Sequence, residues 1–194
     1  RRRRHPHEGC HWLRDGKPSW LRDEPAVKQT LEAGAALVTF SGDKLFGGPQ
    51  AGIIAGRADL IEACAQHPLM RAFRPGALVL GALQQTALAY LRRDGDSIPF
   101  WRMAQTPVTQ LLARADAISA GRSVTTSAMT GGGSLPGEEI PSAGIQLDGD
   151  VSSGLREASI PVIARVRDQA TFVDLRTVHP DDDTLVANAI ASVI

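Results

Sequence analysis

Hydrophobic and polar positions alternate along the chain in short runs of two kinds. Val27 and Leu31 share one helical face, with Asp23 placed to cap, Glu24 in the first turn, Pro25 at an early position and Gly34 as the stop. That pattern predicts a short helix. Leu37-Val38-Thr39-Phe40 reads as a buried strand and Ala51–Ala55 as a second apolar run, with the turn residues Gly47-Gly48-Pro49-Gln50 between them. A helix is expected over 57–66, stopping before His67-Pro68 because a residue ahead of proline is pushed toward extended backbone. Leu78, Leu80, Leu83, Ala87 and Leu91 recur at helical spacing up to Arg92-Arg93-Asp94-Gly95. A further helix should run from about Pro107, capped by Thr106, to a stop at Gly121. Then follow a strand near 122–129, a Gly-rich loop over 131–139, a strand pair at 161–166 and 171–175, and a terminal helix over 181–193 with acids at its positive end.

Strands and helices alternate throughout, so the class is α/β or α+β. The 194 residues, 43% hydrophobic and 22% charged, can bury a core, which excludes disorder over the whole chain. The most nearly apolar stretch, Ala77–Leu91, is interrupted by Gln84 and Gln85 and falls short of the ~20 residues that span a bilayer. No apolar core follows the basic start as a secretion signal would require. Cys10 and Cys64 form neither a C-x-x-C pair nor a dense framework, which fits free thiols in the cytoplasm.

The formal net charge of zero hides a division: residues 1–22 carry +5 and residues 23–194 carry −5. The first 22 residues also hold three of the five His and two of the three Trp, with no helical or strand period, and read as a poorly structured head. His5, His7, Cys10 and His11 lack a partner pair downstream at zinc spacing, so no metal site is assigned. The chain begins with Arg rather than Met, as a piece of a longer product would.

Only three lysines, Lys17, Lys28 and Lys44, stand against eighteen arginines. Lysine can lose its proton and form a Schiff base where guanidinium cannot. Lys44 follows a predicted strand and precedes a Gly-Gly turn, where a strand end can hold a side chain toward a cofactor. A solvated loop lysine is the plain alternative on spacing alone.

These residues also carry a resemblance. Val38-Thr39-Phe40-Ser41-Gly42-Asp43-Lys44-Leu45-Phe46-Gly47-Gly48-Pro49-Gln50-Ala51-Gly52 resembles the cofactor-lysine segment of the bacterial L-seryl-tRNA(Sec) selenium transferases, the selenocysteine synthases. His67-Pro68-Leu69-Met70-Arg71-Ala72-Phe73-Arg74 is similar to that family's paired-arginine segment, and Gly131 to Glu139 to its C-terminal Gly-rich signature. Asp174-Leu175-Arg176-Thr177-Val178 is similar to one of its late strands. Ser-x-x-Lys is shared by many pyridoxal-phosphate enzymes of the aspartate-aminotransferase fold, so it is the Gly-Gly-Pro-Gln-Ala-Gly and GGGSLPGEE stretches that point to this family.

The resemblance implies a fold-type-I, aspartate-aminotransferase-like pyridoxal-phosphate transferase of α/β class. Residues 1–22 would be a non-homologous or disordered head, 23–76 a remnant of the large cofactor-binding domain, and 77–194 the C-terminal α+β small domain. The implied reaction converts seryl-tRNA(Sec) to selenocysteyl-tRNA(Sec) with selenophosphate, through an aminoacrylyl intermediate on pyridoxal 5'-phosphate. Lys44 would hold the cofactor and Asp43 would assist proton transfer. Arg71 and Arg74, three apart between Pro68 and Pro75, can point into one site if that stretch is a single helical turn, and their guanidinium forks suit an oxyanion. Arg176 is read as structural. The family implies a homo-oligomer, a dimer or ring of dimers.

The likeness covers residues 23–194, matching the C-terminal part of the family chain. The phosphate-binding loop and the carboxylate that protonates the pyridine nitrogen are expected upstream, so the isolated chain is expected to be very weakly active. Two other readings stand beside this one: a related pyridoxal-phosphate lyase acting on a small amino acid or sugar amine, and a noncatalytic remnant.

Overall fold

The computed structural model describes residues 18–21, 24–131, 135 and 137–194. The described residues divide into two compact units, the first comprising those up to Arg102 together with Gly131 and Leu135, and the second Met103–Thr130 and Gly137–Ile194. The arginine-rich start, including His5, His7, Cys10 and His11, lies outside the described residues, as does Asp23.

In the first unit a 3-10 turn at Ser19–Leu21 precedes helix α1 (Val27–Glu32), strands β1 (Leu37–Ser41) and β2 (Gly52–Gly56), and helices α2 (Ala58–Gln66), α3 (Leu69–Ala72) and α4 (Ala77–Arg92). Helix α5 (Pro99–Gln105) crosses the point in sequence where the second unit begins. Helix α1 is shorter than expected. Its N-cap is Ala26, whose N–H donates to Gln29 Oε1 at 3.2 Å, so Pro25 stands ahead of the helix. β1 and β2 form an antiparallel pair from Leu37↔Gly56 to Ser41↔Gly52. The expected buried strand is only half-buried, with Thr39 exposed, because two strands make a single thin layer.

Helix α4 ends at Arg92, within the expected Arg92-Arg93-Asp94-Gly95 stretch. Arg93 takes the left-handed conformation at φ 61° and returns its N–H to the last turn. The leucine stripe is split: Leu83 is half-buried, whereas Leu78, Leu80 and Leu91 are exposed. Helix α5 had no counterpart in the sequence reading; it opens on Pro99, a residue suited to the first turn, and buries Trp101.

The second unit contains helix α6 (Val108–Ile118), strands β3 (Arg122–Met129) and β4 (Glu139–Asp148), helix α7 (Ser152–Glu157), strands β5 (Arg165–Arg167) and β6 (Ala170–Asp174), and helix α8 (Asp183–Ala191). The four strands form one antiparallel sheet in the order β3-β4-β6-β5. Its core sets Leu111 and Ala115 of α6, Leu155 of α7 and Val186, Ala189 and Ile190 of α8 against Ala143, Ile145, Leu147, Val173 and Leu175. Each fully buried leucine or isoleucine there stabilises the unit by about 2 kcal/mol relative to exposure.

Several expectations shift. Pro107 is itself the N-cap of α6, displacing Thr106, and the helix stops at Ser119, left-handed at φ 53°, before Gly121 is reached. Pro161–Ala164 is irregular, so β5 shrinks to three residues. The long central strand β4 and the helix α7 were not anticipated. The terminal helix begins at Asp183 after a 3-10 turn over Pro180–Asp182.

Among the described residues no helix is long and apolar enough to cross a membrane.

Candidate active site

The hairpin between β1 and β2 carries the lysine. β1 ends at Ser41, and the next N–H, from Gly42, donates to Ala51 O at 2.8 Å, closing the neck of the connection. Gly48 N–H then returns to Gly42 O at 2.7 Å, and Gly47 N–H to Lys44 O at 2.8 Å. The chain therefore turns twice between the strands. Glycine is required at both tight points: a Cβ on Gly42 would lie 2.5 Å from Pro49 O, and one on Gly47, at φ +72°, 2.5 Å from Ile98 Cγ2.

Asp43 and Lys44 stand side by side in this turn, Asp43 Oδ2 being 3.8 Å from Lys44 Nζ. The other carboxylate oxygen, Oδ1, accepts a short hydrogen bond from Ser41 Oγ. That bond, helped by the neighbouring Lys44 ammonium and opposed by desolvation, holds the Asp43 carboxyl below the usual carboxylate range. The lysine side chain is 41% exposed, so its amine is reachable from solvent. Ser41 was read at first only as part of a family pattern; here it fixes one oxygen of the carboxylate beside the lysine.

Arg71 and Arg74 also come together, by a different route from the expected single helical turn. Arg71 lies in α3, which ends at Ala72, while Arg74 follows the C-cap Phe73. Both line a surface groove of about 470 Å³ with Pro75, Gly76, Ala77 and Leu80. Lys44 and Asp43 are not part of that lining. The structure thus supplies two pairs in the first unit, a lysine with a carboxylate and a pair of guanidinium groups.

Tyr90 escaped sequence reasoning, although it is the single tyrosine of the chain. From α4 its hydroxyl donates to Phe46 O at 3.0 Å, and its ring stacks on Phe46 at 5.1 Å between centroids. Its place at helical spacing from Leu83 and Thr86 was the available signal, because Leu83 and Thr86 border the same turn at Gly42 and Gly48.

Two other motifs resolve differently. In the Gly-rich segment, Gly131 is exposed at φ +70°, and residues 132–134 and 136 lie outside the described residues. Arg176 is 5% exposed and serves the second unit, donating through Nη1 to Met103 O, Ala104 O and Thr106 O and through Nη2 to Pro141 O. Burial lowers its pKa, against the opposing effect of Asp174. Its fork is committed to backbone carbonyls, as a structural residue requires.

The chain is thus of α/β class, with a lysine just after a strand, beside a carboxylate and held in a glycine-dependent turn. Residues 7–179 match the L-seryl-tRNA selenium transferase family, and the chain belongs to that family. The match begins at residue 7, ahead of the expected start at 23 and inside the stretch read as a non-homologous head, so the family likeness extends into that stretch. The L-seryl-tRNA(Sec) selenium transferase of Geobacter metallireducens is 36% identical over 203 aligned positions, covering 95% of this chain and 44% of the relative. That of Hyphomonas neptunium is 39% identical, covering 88% and 40%. The chain spans less than half the length of these relatives. A solved structure of D-glucosaminate-6-phosphate ammonia-lyase superposes with a TM-score of 0.52 at 25% identity, covering 82% of this chain and 44% of that one.

Proposed function

We propose that the chain carries the lysine- and arginine-bearing part of a fold-type-I pyridoxal-phosphate enzyme that converts seryl-tRNA(Sec) to selenocysteyl-tRNA(Sec) with selenophosphate, in the cytoplasm. The supporting observation is the pairing of Lys44 with Asp43 in the closed turn after β1, within a chain of the selenium transferase family.

The residues present fit pyridoxal phosphate: a reachable primary amine for its aldehyde, a carboxylate within 3.8 Å of that amine, and a turn with glycine at its two tight points. When bound, the cofactor supplies an electron sink for loss of the substrate's α-proton and β-hydroxyl. Lys44 Nζ is the atom that would hold it. Asp43, kept ionised by Ser41, holds a proton on Lys44 Nζ or receives one from it. Arg71 and Arg74 offer two guanidinium forks from one groove, a geometry that binds and orients the oxyanion of selenophosphate.

Association into a homo-oligomer is part of this reading. Leu69 of α3, its C-cap Phe73 and Leu78 of α4 are 54%, 70% and 91% exposed, a concentration of apolar side chains that suits burial against another subunit. Because the chain spans 40–44% of these relatives, the isolated 194 residues are proposed to bind cofactor and to turn over very weakly.

A second reading, a pyridoxal-phosphate lyase acting on a small amino acid or sugar amine, is favoured by the superposition on the ammonia-lyase. The deciding experiment adds pyridoxal phosphate to the purified chain and to Lys44→Ala, and follows the absorbance of a lysine-bound cofactor. The proposal expects a band in the wild type alone. Equal spectra would count against both readings and favour a noncatalytic remnant. Turnover of free amino acids or amino sugars, with none of seryl-tRNA, would select the lyase.

A further inference from the structure

The turn that carries Lys44 is hydrogen-bonded from outside by the Tyr90 hydroxyl. Ten residues, 42–51, connect β1 to β2, and the strand ladder that orders the hairpin stops at Ser41↔Gly52. The two residues that follow Lys44 meet α4: Tyr90 Oη lies 3.0 Å from Phe46 O and 3.4 Å from Leu45 O. The same oxygen receives the indole N–H of Trp101 at 2.6 Å.

The direction of these bonds is fixed by chemistry. Indole N–H is only a donor, so it must take a lone pair of the Tyr90 oxygen. The single hydroxyl hydrogen is thereby turned toward the carbonyls. Trp101 is 2% exposed and lies between Trp20, stacked at 6.1 Å, and Phe100, edge-on at 4.9 Å, so its N–H keeps one aim. Phe46 stacks nearly parallel on the tyrosine ring, at 13°. The chain is therefore tied at successive residues: Lys44 O by Gly47 N–H, and Leu45 and Phe46 by Tyr90.

We propose that Tyr90, oriented by Trp101, is a positioning residue: it fixes the backbone just after Lys44 and so determines where the lysine amine stands. The inference rests on the reading of Lys44 as the cofactor-bearing residue. A group must be held in one place to react efficiently, and an exposed lysine on a ten-residue connection otherwise spreads over many positions. Tyr90 touches neither the amine nor any reacting atom on this reading; it acts through the main chain.

The test compares the wild-type chain with Tyr90→Phe, which keeps the ring and removes the hydroxyl, and with Ala89→Gly, which weakens the same helix but leaves the hydroxyl. Two quantities are read. The first is amide hydrogen exchange at Gly47 and Gly48 without cofactor. The second is capture of pyridoxal phosphate on Lys44, trapped with borohydride and normalised by mass spectrometry to Lys28, which lies on α1. Tyr90→Phe should speed exchange at Gly47 and Gly48 about fivefold, the factor set by one ordinary hydrogen bond, and lower the Lys44-to-Lys28 capture ratio by a similar factor. Ala89→Gly should change neither selectively.

Unchanged exchange in Tyr90→Phe overturns the proposal, as does faster exchange with an unaltered capture ratio. An equal effect from Ala89→Gly assigns the loss to helix stability and overturns it too. If the wild type shows no preference for Lys44 over Lys28, the cofactor reading fails, and the positioning role fails with it even where the exchange result shows the brace to be real.

Discussion

Arg114 and Asp183, 69 residues apart, face each other in a two-pronged ion pair: Nη2 to Oδ1 at 2.6 Å and Nε to Oδ2 at 2.9 Å. The pair ties α6 to the first turn of α8, where a carboxylate also suits the helix dipole. Arg114 further donates to Leu175 O at 3.3 Å and Val178 O at 3.0 Å. Its side chain is only 12% exposed, so these partners are largely withdrawn from water. Arg114→Leu should destabilise the second unit by about 2 kcal/mol, less than a fully buried pair would lose because Asp183 keeps some solvent. Urea unfolding followed by circular dichroism measures this, and an unchanged midpoint would rule out the assigned role.

Arg176 offers a sharper contrast between the two cationic side chains. Four carbonyl oxygens converge on its two terminal nitrogens, an arrangement that a planar fork serves and a single ammonium does not. Arg176→Lys should therefore fail to rescue. Both it and Arg176→Leu are expected to cost about 3 kcal/mol, mainly through carbonyls left without donors. A lysine variant with wild-type thermal stability would show that charge alone suffices.

Ser41 controls the ionisation of Asp43. The depressed pKa of Asp43 means that its stabilising contribution is complete above the ordinary carboxylate range and is lost as the pH falls through the lowered value. Ser41→Ala removes the largest cause of that depression, so the carboxyl should titrate at higher pH. The Asp43–Lys44 pair would then dissolve earlier on acidification. Carbon NMR of the labelled Asp43 carboxyl reads the shift, and a titration curve that stays in place would separate the two residues functionally.

The arginine groove is open to direct measurement. Removing either Arg71 or Arg74 should weaken binding of inorganic phosphate, as a stand-in for the oxyanion, by about tenfold, and the double alanine variant should lose it further. Isothermal titration calorimetry supplies the comparison. Binding that survives the double change would place the anion elsewhere.

Much of this architecture can be read from sequence where an element has a clear period or a clear end. The hairpin strands, α4 and α6 follow from apolar spacing and from their punctuation. β4 does not, because a central strand packed on both faces loses its alternation, and Pro141, Ser142 and Gly144 break the apolar run further. Helix α7 is hidden by Gly154 and by its six-residue length. The lysine turn was legible because glycines at tight points leave a local signature. The tyrosine that braces it was not, since its partner carbonyls lie 44 and 45 residues away and belong to the main chain.

That last property has an evolutionary consequence. A contact made to carbonyl oxygens is indifferent to the side chains of the residues that own them. Leu45 can be exchanged without loss of the brace, and position 46 needs only a flat ring to stack on Tyr90. Position 90 is the constrained one, because a ring with a hydroxyl at its tip is the side chain that combines the stacking with both hydrogen bonds. Among homologous chains that keep the Ser-Gly-Asp-Lys turn, drift should accumulate at 45 well before it is tolerated at 90.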